Sequence, residues 1–276
     1  MMWFLLILLL VLVLVLGLWI LLLCSRRDHP AWEKLSKFRY AHRGYHNKPT
    51  VPENSMAAFR AAAARGWGAE LDVHLMKDGN LAVIHDASLK RTAGADVQIE
   101  DLTKAELANY TLEESMEHIP LLEHVLPVFE GKAPLIIELK AERGNQDRHS
   151  EAVAKILDRY QGDYCIESFD PRVVRWFRKN RPDVCRGQLA ENFLDAANTG
   201  LPRYLEFILT NLLLNFSAKP DFIAYQFQDR KSLSLRLCQA VWKPHKVAWT
   251  IRNKADMLAA EQEGRTVIFE KFDPEG

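Results

Sequence analysis

The chain reads as an α/β protein: a closed (β/α)8 TIM barrel with a small insertion, preceded by one N-terminal transmembrane helix. Three observations predict it. From Phe38 onward, apolar runs of four to six residues alternate with longer helical patterns, and repeated strand-then-helix order implies a parallel sheet under covering helices. Eight such units over about 240 residues fit a closed barrel. The first 24 residues carry no charged side chain, and from Trp3 to Cys24 the run is long enough as a helix to cross a hydrocarbon core of about 30 Å.

Along the chain, residues 1–24 form the anchor and residues 25–37 a short charged connector. The barrel occupies 38–276. A secretory signal would want a basic n-region and a small-x-small cleavage site, and neither is present. A lipoprotein signal would want a small residue where Leu23 stands before Cys24. Strands are expected at 38–42, 69–75, 81–85, 134–139, 164–169, 184–189, 221–225, 247–251 and 266–270. Helices are expected at 55–65, 103–109, 122–130, 151–160, 172–179, 203–215, 232–241 and 254–262. That is one strand too many for a barrel of eight. Only MKDGN joins the second run to the third, too short for a helical crossover, so part of that region is a turn or an accessory strand. Residues 86–118, polar and poorly periodic, leave the barrel. The apolar stretch LEFILTNLLLNF (205–216) has the length of a core helix rather than a membrane segment.

Composition narrows the function classes. Hydrophobic residues make up 48% of the chain, enough for a substantial core. Lys+Arg and Asp+Glu balance at 36 each, which removes the bulk electrostatic argument for nucleic-acid binding. Cys24, Cys165, Cys185 and Cys238 form no CxxC pair, so thiolate metal sites are not expected.

The polar residues at strand ends carry the chemistry. Glu70 and Asp72 in AELDVH are two apart on a strand and share a face. Like charges on one face are costly unless a cation or another positive group compensates. In IELK, Glu138 and Lys140 repeat the pattern. Three carboxylates without a thiolate describe a site for a hard divalent cation, Ca2+ or Mg2+. His42 in AHRG and His85 in VIHD end two apolar strands and suit general acid and general base. Arg43 and Lys140 add fixed positive charge. Cation, guanidinium, ammonium and two imidazoles together suit a phosphate ester. The seven other histidines, His46 the least clear among them, are expected at the surface or satisfied in the core.

HRG, PENS, ELDV with KDG, VIHD, IELK, ESFD and AWTI occur here in the order found in the glycerophosphodiester phosphodiesterase family, which the chain resembles from about residue 38 to its end. The resemblance implies a phospholipase C-like barrel with an insertion after the HD motif, here about 87–120. It implies Glu70, Asp72 and Glu138 as metal ligands, His42 and His85 as the acid–base pair, and Arg43 and Lys140 as phosphate contacts. Glu53 matches the PEN carboxylate near the substrate, and Trp249 a barrel-top aromatic. Two positions depart from the family's pattern. Arg252 follows AWTI where Asn is usual, and Glu270-Lys271 stand where Thr-Asp or Thr-Asn is usual.

The resemblance implies hydrolysis of glycerophosphodiesters to glycerol 3-phosphate and an alcohol. A lysophospholipase D acting at the bilayer, or an inactive barrel serving as a membrane-bound binding module, are the alternatives. Arg26, Arg27, Lys34, Lys37 and Arg39 flank the apolar run on its C-terminal side, with no Lys or Arg before it. That bias puts the protein in the membrane as a single-pass chain with its barrel in the cytoplasm.

Overall fold

The computed structural model describes residues 1–47, 50–197 and 199–276. All nine predicted strands form: β1 (Tyr40–Ala41), β2 (Gly68–Leu75), β3 (Leu81–Val83), β4 (Leu135–Leu139), β5 (Tyr164–Ser168), β6 (Arg186–Ala190), β7 (Phe222–Gln226), β8 (His245–Ile251) and β9 (Thr266–Phe269). Eight run parallel in the order β1-β9-β8-β7-β6-β5-β4-β2, and β1 pairs with β2 to close the ring. The surplus strand is β3. It lies antiparallel on β2 with His74 opposite Ala82, because a Gly-containing turn can join only antiparallel neighbours.

The helices are α1 (Met2–Leu22), α2 (Trp32–Leu35), α3 (Met56–Ala64), α4 (Lys90–Ala93), α5 (Lys104–Leu107), α6 (Leu122–Phe129), α7 (Gln146–Leu157), α8 (Pro171–Asn180), α9 (Arg203–Thr210), α10 (Asn215–Ala218), α11 (Leu233–Val241) and α12 (Lys254–Gln262). α3 starts at Ser55, whose hydroxyl accepts from the Ala58 amide, the expected N-cap arrangement. α7 begins five residues before its predicted start, because the polar run QDRHS hides the helical period. The helix expected over 203–215 breaks into α9 and α10 at Leu212, whose backbone is left-handed (φ 57°). Leu212 is buried, but Tyr204, Phe207 and Phe216 are exposed, so this stretch is only partly core.

Strands alternate between an outer and an inner face. Outward residues such as Leu71, Val73, Leu135 and Ile137 pack under the helices. Inward, the N-terminal end of the barrel is apolar: Tyr40, Ile136, Cys165, Phe222, Val247 and Ile268 form one cluster with Trp32 and Leu35 of α2. Trp32 stacks on Phe222 and on His245, with ring centres 5.1 and 4.7 Å apart. The Tyr40 hydroxyl donates to the Leu35 carbonyl at 2.8 Å. Residues 25–37 therefore plug the barrel floor, a packing role that their charge pattern conceals. Arg26 is held there by Asp221, which is fully buried at the foot of β7.

The insertion hangs on β2 and β3. Its own small core is built from Met76, Leu89, Ile99, Leu107, Ile119 and neighbours.

Candidate active site

Two residues beyond the apolar floor, the same strands turn polar. Tyr40 is followed by His42, Ile136 by Glu138, Cys165 by Glu167, and Ile268 by Glu270. A cavity of about 120 Å³ opens at this C-terminal end, the end at which barrel enzymes carry their sites. Its wall includes His42, Arg43, Glu70, His85, Glu138, Lys140, Glu167, Trp249 and Arg252.

The first predicted group assembles as a cluster. Glu70, Asp72 and Glu138 are buried, and one carboxylate oxygen from each lies within 4.8 Å of the others. β2 and β4 are in register with Asp72 opposite Glu138, so the cluster follows directly from strand pairing. Lys140 Nζ stands 3.1 Å from Asp72 Oδ1 and 2.8 Å from Glu138 Oε1. Burial, and then the charges of Asp72 and Glu138, push the Glu70 carboxyl well above its ordinary pKa. Asp72 is equally buried, but Lys140, His85 and Arg43 outweigh that burial and hold its pKa well below the usual range. Among the described residues, Glu70 Oε1 is buried with no hydrogen-bond partner. An all-oxygen donor set, an excess of negative charge and an unpartnered carboxylate oxygen fit a hard divalent cation. The three acids can hold a metal ion.

Arg43 is set by its backbone. It is left-handed (φ 54°), a conformation uncommon outside glycine and held in place by surrounding contacts. Gly44 follows with φ 77°, and a Cβ there would meet Ala58 at 2.8 Å; only glycine makes this exit. The Arg43 amide donates to Glu70 Oε2 at 3.1 Å. Its guanidinium donates to Glu53 at 2.9 Å and stands 3.4 Å from Asp72. Glu53 also accepts from Arg91 of α4 at 2.6 Å. Glu53 thus sits behind Arg43, outside the cavity wall, clamped between two arginines. Asn54 Nδ2 donates to Asp72 Oδ2 at 2.9 Å, so this residue does more than start α3.

Both imidazoles face the cavity, and each is gripped from behind. His42 Nδ1 donates to Glu270 Oε2 at 2.7 Å, and Glu270 Oε1 accepts from Arg252 Nε at 2.7 Å. His85 Nδ1 donates to Asp86 Oδ1 at 2.6 Å, and Asp86 Oδ2 accepts from Arg91 Nε at 2.5 Å. An ionised carboxylate only accepts hydrogen bonds, so Nδ1 carries a proton on each ring and proton exchange is left to Nε2. His42 Nε2 lies 3.9 Å from Glu70. Burial lowers the His42 pKa to about 4, against the raising effect of Glu270. Burial also opposes the charge on Glu270, but hydrogen bonds from His42, His46 and Arg252 hold its carboxyl far below the ordinary range.

Trp249 closes one side, its ring edge-on to Phe169 with centres 5.6 Å apart and its Nε1 donating to the Ala224 carbonyl. In the sequence Glu270 and Arg252 stand out only as departures from the family's pattern, and Asp86, Arg91 and Glu167 carry no assigned role. Strand parity marks two of these: Glu270 and Glu167 each lie two residues after an inward apolar residue. Of the two alternatives for His46, the core one fits: its side chain is nearly buried and its Nε2 is 3.9 Å from Glu270. No sequence signal pairs Arg91 with Glu53 and Asp86.

Comparison with known proteins agrees with this geometry. Residues 42–272 match the model of the glycerophosphoryl diester phosphodiesterase family. A glycerophosphodiester phosphodiesterase of Bacillus altitudinis is 35% identical over 156 residues, covering 52% of this chain and 63% of that protein. A lysophospholipase D of Rattus norvegicus is 33% identical over 125 residues, covering 41% of this chain and 38% of that protein. The matched segments thus span less than two thirds of these relatives. A phosphodiesterase of Oleispira antarctica, solved in complex with the product sn-glycerol-3-phosphate, superposes with a TM-score of 0.71 at 21% identity. That match covers 89% of this chain and 96% of the other, and it shows the shared barrel fold.

Proposed function

The chain belongs to the glycerophosphoryl diester phosphodiesterase family, and from that premise we propose that it hydrolyses glycerophosphodiesters to glycerol 3-phosphate and an alcohol. The observation that carries this reading is the buried Glu70–Asp72–Glu138 cluster facing the same cavity as two carboxylate-held imidazoles. Ca2+ or Mg2+ held by the three acids would withdraw charge from the phosphoryl oxygens. Arg43 and Lys140 bind the remaining phosphate charge, Arg43 as a planar fork and Lys140 as a point charge. One imidazole, entering neutral, takes at Nε2 the proton of the attacking hydroxyl or water, and the other, entering as imidazolium, gives its Nε2 proton to the leaving alcohol. Glu270 and Asp86 hold a proton on each Nδ1, so that the exchange runs through Nε2. Trp249 and Arg252 line the cavity, where they would meet the leaving alcohol, and Lys271 lies 3.6 Å from Glu270 beside them. The test is a panel of glycerophosphodiesters with and without EDTA, reading glycerol 3-phosphate. Release that depends on added cation supports the reading, and no release from any diester overturns it.

A second reading, lysophospholipase D activity at the bilayer, is favoured by α1, which is apolar along its whole length and has no buried residue. A direct comparison of lysophosphatidylcholine with glycerophosphocholine separates the two. The same helix supports a single-pass anchor. The basic residues after it, Arg27, Lys34 and Lys37 being well exposed, support a cytoplasmic barrel. Protease added to intact cells tests that side: digestion of the barrel without lysis would place it outside.

A further inference from the structure

α1 does not leave the barrel on a free tether. Its last turn packs on α10 and α11, and Leu23 is fully buried among Leu212, Ile223, Tyr225, Leu235 and Cys238. Trp242 Nε1 donates to the Ile20 carbonyl at 2.8 Å. Asn215 Nδ2 reaches Ser25, and Ser25 meets Cys238 Sγ at 3.4 Å. The helix is thus fixed to one wall of the barrel, outside β7.

That wall is unlike the rest of the surface. Outside the N-terminal run, seven large apolar side chains are exposed among the described residues, and five lie here: Tyr204 and Phe207 on α9, Phe216 on α10, and Leu233 and Val241 on α11. The pieces are contiguous. α10 packs on α8, and Ser234 of α11 donates to Asn211 at the end of α9 at 2.7 Å. Across α8, α9, α10 and α11 the only carboxylate is Glu206, which is buried against Thr199 and Arg203. The same helices carry exposed cations: Arg175 and Lys179 on α8, Arg203 on α9 and Arg236 on α11, with Arg172 paired to Asp170 at the start of α8. Exposed apolar side chains together with cations, and no exposed acid within these four helices, match the boundary between acyl chains and anionic headgroups.

We propose that the α8–α11 wall lies on the surface of an anionic bilayer, the membrane that α1 enters, so that the barrel is docked on its side rather than suspended from a linker. This rests on the reading of α1 as a membrane anchor. It also sets an orientation. β2, which bears the insertion, is four steps from β7 in the eight-membered ring (β7-β6-β5-β4-β2), so the insertion points away from the lipid.

Nitroxide labels on single cysteines test it in the full chain, reconstituted in vesicles of phosphatidylcholine and phosphatidylglycerol. Cys24 is replaced by Ser; the other three cysteines are buried. Labels go at Val11 in mid-helix, at Phe207 and Leu233 on the wall, and at Met116 on the insertion. Each labelled protein is used only if it keeps wild-type turnover of a soluble glycerophosphodiester, if wild type shows such turnover, or otherwise wild-type thermal stability. The expected result is stronger relaxation by lipid-soluble oxygen than by an aqueous nickel chelate at 11, 207 and 233, with the reverse at 116. Oxygen preference at 11 but nickel preference at 207 and 233 would overturn the docking and leave the anchor standing. Nickel preference at 11 would overturn the anchor, and the docking with it. Shielding from both relaxants at 207 and 233 would mean that protein covers the wall, which also overturns the proposal.

Discussion

The floor and the mouth of this barrel are built by the same strands, two residues apart, and they obey opposite rules. At the floor, Tyr40, Ile136, Cys165, Phe222 and Ile268 pack with Trp32 and Leu35, and the buried charge there, Asp221, is met by Arg26 and Arg186. At the mouth, His42, Glu138, Glu167 and Glu270 take the same inward positions, crowding negative charge until the pKa values of Glu70, Glu138 and Glu167 all rise through burial. The lesson is a division of labour along each strand: the floor stabilises, and the mouth holds charge that stability alone would not favour.

If that division is real, mouth and floor substitutions should fail in different assays. The largest effect expected is on turnover. His42→Ala or His85→Ala should each lower kcat by about 10²–10⁴ with little change in thermal unfolding. The double variant should fall well short of additivity, because the two rings serve one proton cycle. Near-normal turnover in either single variant would move that histidine from the mechanism to the scaffold.

Phe222→Ala probes the other end. It removes a fully buried ring stacked on Trp32, and should cost about 3–5 kcal/mol by denaturant titration. The folded fraction should keep the wild-type KM. A loss of turnover without a loss of stability would break the comparison.

Smaller effects sharpen it. Glu270→Gln keeps an acceptor for His42 but removes the charge, and should lower kcat by about 10–100-fold while leaving KM for the diester unchanged. A matching rise in KM with kcat intact would instead make Glu270 a substrate contact. At neutral pH the smallest effect concerns His149, a wholly buried residue of α7 whose pKa burial lowers to about 3. Its unfolded form takes up a proton near the ordinary value of about 6.5, so the unfolded state binds more protons between the two values. His149 therefore leaves stability intact above about pH 6.5 and erodes it as the pH falls toward 3. His149→Gln should flatten that part of the stability–pH curve, and an unchanged curve would contradict the assignment.

Much of this was legible in the chain. The strands announced themselves because apolar runs at strand length recur through the barrel, and the polar residues that end them stood out against those runs. The closing of the ring is different. Only the pairing of β1 with β2 and β9 fixes it, and no local pattern encodes that. Arg91 illustrates the limit for the site. It is thirty-eight residues from Glu53 in sequence yet bonds it at 2.6 Å, a contact made by the docking of the insertion on the barrel. Residues 25–37 read as a charged linker because Trp32 and Leu35 are too few to set a period. Their burial appears only once the barrel floor exists to receive them.

The central claim is that Glu70, Asp72 and Glu138 form one cation site and that the chemistry depends on it. The most direct measurement titrates Ca2+ or Mg2+ into exhaustively chelated full-length protein, following glycerol 3-phosphate release and thermal unfolding together. Chelated wild type should be inactive, and added cation should restore turnover and raise Tm by mass action. Glu138→Gln should lose both responses while folding as stably as chelated wild type, since the substitution relieves like-charge crowding. Full turnover in the chelated protein, or a cation-induced rise in Tm that survives Glu138→Gln unchanged, would contradict the account.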